Sequence, residues 1–320
     1  MINIAVIGLG NISKRVIEGV KFVKDANLYC VASRNKEKAI EFKEKYDAEV
    51  AYNNYEDVYK DKNVDLVYIC TANHLHYHQI MSCLENGKHV ICEKPMVSSI
   101  KEINELFDLA KEKNLFLMEA EKTVFTDMHK ELKKVIKKGI VGEVISITAD
   151  YSYNISYLNF PKDHWAFDEK HGGCLRDVGV YPICFCNSIA DSKIKNITGV
   201  KYVSAEYKCD FGGKGIIEYE NGIKASIESC WFYDSFDRGY AVIFGTKGKI
   251  YVPNYWKGNK FRIVFDNNET KEIEVSQNSD FEGEIQEAVD MIKSGRIESP
   301  AMNREKTIEI MKVIEKLLNY

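Results

Sequence analysis

Ile2-Asn3-Ile4-Ala5-Val6-Ile7-Gly8-Leu9-Gly10-Asn11-Ile12-Ser13 is the stretch whose reading decides the fold. A short apolar run ends at Gly8, and helical spacing takes over from Ser13 to about Val23. That is the signature of a strand passing through a tight turn into a helix. Gly8 permits the turn, and Gly10 lets the backbone come close to a pyrophosphate. The N–H groups opening the helix point at the same place. Ser13 stands where a third glycine usually secures close helix–strand packing, and a small residue serves there. Alone, these residues describe an ordinary strand–helix junction. At the first junction of a repeating series they point to a dinucleotide site.

Outward from this turn the alternation continues. Leu28-Tyr29-Cys30-Val31-Ala32, Val64 to Cys70, His89-Val90-Ile91-Cys92 and Leu115 to Met118 read as strands. Lys36 to Tyr46, a segment ending at Asn86-Gly87, and one capped by Ser98 or Ser99 and running to Asn114 read as helices. Short apolar strands alternating with helices predict a parallel sheet covered on both faces. After about residue 122 the pattern changes. A helix from Asp127 to Lys138 leads into longer alternating strands: Glu143 to Tyr153, Gly215 to Tyr219, Lys224 to Trp231 and Tyr240 to Phe244. Asn221-Gly222 is a strong hairpin signal and Lys247-Gly248 a weaker one. Such strands predict an open, mostly antiparallel sheet, closed by helices at Phe281–Lys293 and Arg304–Leu318. The expected division is an α/β dinucleotide-binding domain over 1–122 and an α+β substrate and oligomerisation domain over 123–320.

Composition agrees with this division. The 320 residues suit two domains of roughly 150 residues. With 45% hydrophobic and 29% charged residues, the chain is neither fibrous nor disordered. Its net charge of −4, with both signs interspersed, leaves no basic face for nucleic acid or an anionic membrane. No apolar run is long enough to cross a bilayer, and the first residues lack the pattern of a secretory leader. The nine cysteines are scattered, without a C-x-x-C pair, and read as buried thiols. A cytoplasmic protein is expected.

Two further segments carry chemistry. Beyond the second strand, Ala32-Ser33-Arg34 stands where an acid would bond the ribose 2′-hydroxyl of NAD. A hydroxyl and a guanidinium suit a 2′-phosphate instead, so NADP(H) is expected over NAD(H). Cys92-Glu93-Lys94-Pro95 follows the strand at 89–92, at the sheet edge where open α/β folds bind ligands. A lysine there can hydrogen-bond a substrate hydroxyl or carbonyl, and Lys94–Pro95 is a candidate cis bond. A Glu-Lys pair in a loop is otherwise solvated surface.

The glycine turn, Thr71-Ala72-Asn73-His74-Leu75-His76, Gly87 to Pro95, and Gly172-Gly173-Cys174-Leu175-Arg176-Asp177-Val178-Gly179-Val180-Tyr181-Pro182 occur in this order. Together they resemble the glucose–fructose oxidoreductase / inositol dehydrogenase / rhizopine-catabolism (Gfo/Idh/MocA) family over essentially the whole chain. The resemblance implies a Rossmann domain followed by an open-sheet domain. It also implies reversible hydride transfer between NAD(P) and a carbinol carbon of a sugar, cyclitol or diol. It implies that Lys94 is the catalytic lysine touching substrate and cofactor, that Tyr181 exchanges the proton, and that Asp177 assists. On a continuous helix 177 and 181 are i and i+4 and share a face. A phenol titrates near ~10, so a cation such as Lys94 beside Tyr181 would help it act as acid and base. The expected cofactor contacts are Gly8, Gly10, Asn11, Ile12, Ser33, Arg34, Thr71, Asn73, His76, Glu93 and Lys94. The expected substrate contacts are Lys94, Lys122, Trp165, Asp177 and Tyr181. His74-x-His76-x-His78 resembles a metal pattern, but on a segment entering a helix the three rings diverge, and no metal is expected. Family members often carry Trp-Arg before the double glycine, where this chain has Trp165-Ala166. Many relatives continue to Arg-Phe after the last Rossmann strand, whereas this chain reads Glu119-Ala120-Glu121-Lys122-Thr123-Val124-Phe125, so that Lys122 supplies the local positive charge. The family also implies a homodimer or homotetramer through the second sheet. A sensor that binds nucleotide without turnover is the alternative on the same fold. A purely structural protein would leave the nucleotide motif unexplained.

Overall fold

The computed structural model describes residues 1–320, the side chain of Arg238 excepted. Its first sheet holds β1 (Ile2–Ile7), β2 (Ala26–Ala32), β3 (Val50–Tyr52), β4 (Leu66–Ile69), β5 (His89–Glu93) and β6 (Leu117–Ala120). All neighbours pair in parallel in the order β3-β2-β1-β4-β5-β6. The helices between them are α1 (Asn11–Val20), α2 (Lys36–Tyr46), α3 (Glu56–Lys60), α4 (Asn73–Glu85) and α5 (Ile100–Lys113). The strands carry apolar side chains on both faces because helices cover both, and every residue of β4 is buried. Side-chain caps start two of these helices: Asn35 accepts the Lys38 N–H at 2.7 Å, and Ser99 accepts the Glu102 N–H at 3.3 Å. The strand order reverses between β1 and β4, and the crevice beyond their carboxyl ends is the ligand position of such sheets.

The second sheet contains β7 (Val144–Asp150), β8 (Ile194–Val203), β9 (Asp210–Tyr219), β10 (Lys224–Cys230), β11 (Tyr240–Gly245), β12 (Gly248–Pro253), β13 (Lys260–Phe265) and β14 (Thr270–Glu274). Its order is β14-β13-β12-β11-β7-β10-β9-β8, antiparallel throughout except where β10 runs parallel to β7. α6 (Asp127–Lys137), α7 (Cys174–Asp177) and α8 (Val180–Ala190) accompany it. α8 is apolar nearly all round and buries Val180 to Cys186. The alternation expected along these strands is present: Ala241 and Ile243 are buried, whereas Val242 is only half-buried and Phe244 is exposed.

The structure departs from the sequence reading in three places. A short strand, β3, is interposed, so the Leu117–Ala120 strand is the sixth of its sheet. The segment carrying Asp177 and Tyr181 is two helices, interrupted at Val178–Gly179. Pro182 accounts for the break, because it has no N–H to give residue 178 and is tolerated only in the first turn of a new helix. The expected boundary at 122 also omits a return of the chain. Contacts group Met1–Glu121 with Asn278–Thr307, and Lys122–Gln277 with Ile308–Tyr320. The returning segment carries α9 (Glu282–Lys293), which buries Phe281, Ile285, Ala288 and Val289. Each large side chain so covered contributes about 1.5–3 kcal/mol. Arg15 pairs with Asp280, Tyr68 donates to Glu284 at 2.6 Å, and the Leu117 N–H donates to Ile297 O at 3.1 Å. α10 (Arg304–Leu318) ends the chain. Among the described residues no helix is long and apolar enough to cross a membrane.

Candidate active site

In the first unit the glycine turn has the geometry its sequence demands. Gly8 has φ +85°, and a Cβ there would lie 2.6 Å from Thr71 Cγ2 and 2.7 Å from Thr71 N. Glycine is therefore required on conformational and steric grounds. Gly10 differs: a Cβ would meet nothing within 4 Å, so its missing side chain leaves open space at the start of α1. Asn11 and Ile12, both exposed, form the first turn of α1. Ser13 is fully buried and donates to Gly10 O at 2.8 Å, a short packing residue as expected. Open space bounded by unpaired helix N–H groups is what a pyrophosphate would fill, and these residues fit a dinucleotide.

At the end of β2, Ser33 is nearly buried and its hydroxyl accepts the Asn35 N–H at 3.2 Å. Arg34 is exposed beside the Tyr55 phenol, whose pKa burial raises and the guanidinium lowers. In the loop after β4, Thr71 donates to Gln79 at 2.5 Å, and Asn73 is buried at the first position of α4. The ring of His76, an expected cofactor contact, is fully buried. Nδ1 lies 3.1 Å from Pro95 O and Nε2 3.0 Å from Thr71 O, so it ties two loops together. Desolvation holds its pKa below the ordinary value. His74 and His78 are exposed on α4.

The turn after β5 has Glu93 and Lys94 half-buried, and Lys94–Pro95 is cis. Tyr68 lies beneath Glu93, its phenol oxygen 3.2 Å from Glu93 Oε1. Glu119, on β6, accepts the Met96 N–H at 2.9 Å.

In the second unit, Tyr181 is buried in α8 within an aromatic group. Its ring centroid lies 5.6 Å from that of Tyr151 and 5.3 Å from that of Trp256, and the last two stack at 4.8 Å. Lys122, 4% exposed, holds Nζ 5.4 Å from the Tyr181 ring and 5.0 Å from the Trp256 ring. Asp177, at the end of α7, accepts from the Tyr153 hydroxyl at 3.0 Å. Burial, and then the charge of Asp177, push the Tyr153 phenol well above its usual value, so it remains a donor. Tyr151 and Tyr153 thus connect the residues that the helix break separates. Asp210 accepts the Leu175 N–H at 2.8 Å and the Gly212 N–H at 3.2 Å, anchoring α7. Trp165 packs beside His164, at 5.3 Å between centroids. Sequence reasoning missed Tyr151, Tyr153, Trp256 and Asp210. The i, i+2 spacing of 151 and 153 at a strand end was the only available signal, since both fall on one face.

Comparison with known proteins gives consistent results. The model of an oxidoreductase family with an NAD-binding Rossmann fold matches residues 2–121, and that of a GFO/IDH/MocA C-terminal domain matches 129–251. A scyllo-inositol 2-dehydrogenase (NADP(+)) of Bacillus subtilis is 30% identical, over 98% of this chain and 95% of its own. A trans-1,2-dihydrobenzene-1,2-diol dehydrogenase of Mus musculus is 30% identical over 76% of this chain and 70% of its own. A 3-ketoreductase of Actinomadura kijaniata, solved with NADP and TDP-benzene, shares the fold. Its TM-score is 0.85 at 21% identity, over 99% of this chain and 96% of its own.

Proposed function

Because the chain belongs to the Gfo/Idh/MocA family of oxidoreductases, we propose that it interconverts a secondary alcohol and a carbonyl on a sugar, cyclitol or diol, using NADP(H) in preference to NAD(H). The nicotinamide, when bound, supplies the two-electron hydride chemistry that side chains lack. Gly8 and Gly10 leave room for the pyrophosphate, their own N–H groups donating to Ala32 O at 3.1 Å and Gly8 O at 2.9 Å, and the backbone N–H groups of Asn11 and Ile12 hold it. Ser33 and Arg34 take the 2′-phosphate, and Thr71, Asn73, Glu93 and Lys94 border the nicotinamide half. The NADP preference rests on the absence of an acid after β2 and on the NADP(+) specificity in the name of the Bacillus relative.

The observation that carries the turnover reading is the group around Tyr181. A protein that only bound nucleotide would need the glycine turn, but not a buried lysine beside a tyrosine or a phenol fixed on Asp177. In oxidation Tyr181 Oη, as phenolate, accepts the substrate hydroxyl proton, and in reduction the phenol returns it. Asp177, oriented by Tyr153, assists the proton exchange, and Lys122 supplies positive charge beside the phenol; Lys94 has the role of the lysine that contacts substrate and cofactor. Trp165 is a further substrate contact in this reading. The outward face of the second sheet, with Phe244, Ile216 and Val200 exposed, is the surface through which the chain pairs with copies of itself.

A panel of inositols, sugars, diols and ketones, followed by absorbance of reduced nicotinamide with NADP(H) and NAD(H), tests this reading. Turnover of one member, abolished in Lys94→Ala, is expected. Tight NADPH binding without turnover of any member would favour a sensor.

A further inference from the structure

The turn presenting Lys94 is gripped from two sides by buried ionisable side chains. From α4, fully buried His76 reaches Pro95 O with Nδ1 at 3.1 Å. From β6, Glu119 accepts the Met96 N–H through Oε1 at 2.9 Å. Glu119 is 3% exposed, with the Thr307 hydroxyl, Glu121 and Lys94 as its side-chain neighbours. Buried carboxyl oxygens are nearly always satisfied, because an unfilled acceptor away from water is costly. A buried carboxyl that holds a backbone amide of the Lys94 turn does more than pack.

We propose that Glu119 is a positioning residue for Lys94, fixing its turn through the Met96 amide with a firmness that depends on the proton Glu119 holds. The catalytic half of this rests on the role assigned to Lys94 above. A carboxylate accepts an N–H in a charge-assisted bond roughly twice as strong as a neutral one, and it faces Lys94 with a full counter-charge. A protonated Glu119 accepts more weakly and offers Lys94 no charge. Burial pushes Glu119 up to about 7, opposed by the Met96 hydrogen bond, reinforced by like-charged Glu121, and lowered again by Thr307 and Lys94. Cys92, its register partner on β5, is a thiol whose pKa burial raises, so it stays neutral in this range. His76, which also faces Met96, is held below its ordinary 6.5 by burial. As pH rises through about 7, the turn tightens and Lys94 gains its counter-ion.

The full chain labelled with 15N-methionine, with the Met96 resonance assigned through Met96→Leu, reads this directly. The Met96 amide proton should move downfield with a midpoint near 7. In Glu119→Gln, which keeps an acceptor but cannot ionise, the resonance should stay fixed. On an accepted substrate, kcat of the wild type should show an inflection at the same pH, absent in Glu119→Gln. Glu119→Ala should lose about tenfold in kcat with KM within about twofold, and Gln should restore most of that loss. A Met96 amide that does not titrate, or titrates equally in Glu119→Gln, overturns the proposal. So do variants that shift only the melting temperature while kcat keeps its pH profile. A wild type that turns over nothing removes the proposed reaction and the catalytic half of this inference together, while the amide titration still decides the Glu119–Met96 linkage.

Discussion

Alanine at Gly8 and at Gly10 should fail in opposite ways. At Gly8 the backbone is left-handed, with φ +85°, and the new methyl carbon would sit 2.6 Å from Thr71 Cγ2 and 2.8 Å from Cys70 C. Left-handed strain costs about 1–2 kcal/mol and overpacking about 1–3 kcal/mol, so a loss of about 3 kcal/mol is expected. At about 2–4 °C per kcal/mol that lowers the unliganded melting temperature by about 6–12 °C. At Gly10, φ −94° and ψ −158° are open to any residue, and the methyl meets nothing within 4 Å. Stability should change by less than about 0.5 kcal/mol. The methyl would occupy the space assigned to the pyrophosphate, so NADPH affinity should fall at least about tenfold, or about 1.4 kcal/mol. Thermal melts without ligand and fluorescence titrations with NADPH separate the two effects. A Gly10→Ala protein that binds NADPH like the wild type would refute the cradle. One that melts as low as Gly8→Ala would refute the packing argument.

Tyr181→Phe keeps the ring against Trp256 and Tyr151, so NADPH titration should be unchanged while kcat falls about 10²-fold or more; retained kcat would move proton exchange elsewhere. Arg34→Ala should weaken NADPH about tenfold and leave NADH unaffected, and equal losses for both would deny the 2′-phosphate contact. Burial pushes Asp210 up to about 6 from 3.8, so the folded state holds its proton more tightly than the unfolded chain. That contribution is complete below about pH 4 and lost as pH rises through about 6. Asp210→Asn keeps an acceptor for the Leu175 N–H and should gain on wild type at pH 8 by up to about 3 kcal/mol. Urea melts at pH 8 and near pH 4 should show that gain shrinking at the lower pH, and an equal gap would refute the assignment.

The elements legible in the sequence were those whose signals are local. Lys36–Tyr46 has the observed bounds of α2, Ser99 caps the helix it was expected to cap, and the Asn221-Gly222 turn joins β9 to β10. β8, β13 and β14 escaped notice because weak alternation among charged residues becomes strand only when a neighbour supplies the ladder. The break before Val180 was signalled by Pro182, but the i, i+4 argument for 177 and 181 overrode it. In the site, motif residues stood out by spacing, whereas Tyr153, Trp256, Glu119 and Asp210 act through partners distant in sequence. His76 stood out by its motif position, but its contacts with the Thr71 and Pro95 carbonyls are visible only in the fold.

The return of Asn278–Thr307 to the first unit sets an order of events during synthesis. Until Lys293 has been made, the unit begun by β1 lacks α9, the partner of Arg15 and the carboxyl that accepts the Tyr68 hydrogen bond. Between Glu121 and Thr307 the ribosome adds all of Lys122–Gln277. At about 5–20 residues per second that takes roughly 8–30 s. Throughout it, the groove destined for Phe281 and Ile285 stays uncovered on the nascent chain. A nucleotide-binding fragment cut at residue 122 would carry the same wound permanently, and only one supplied with the 278–307 segment would close it.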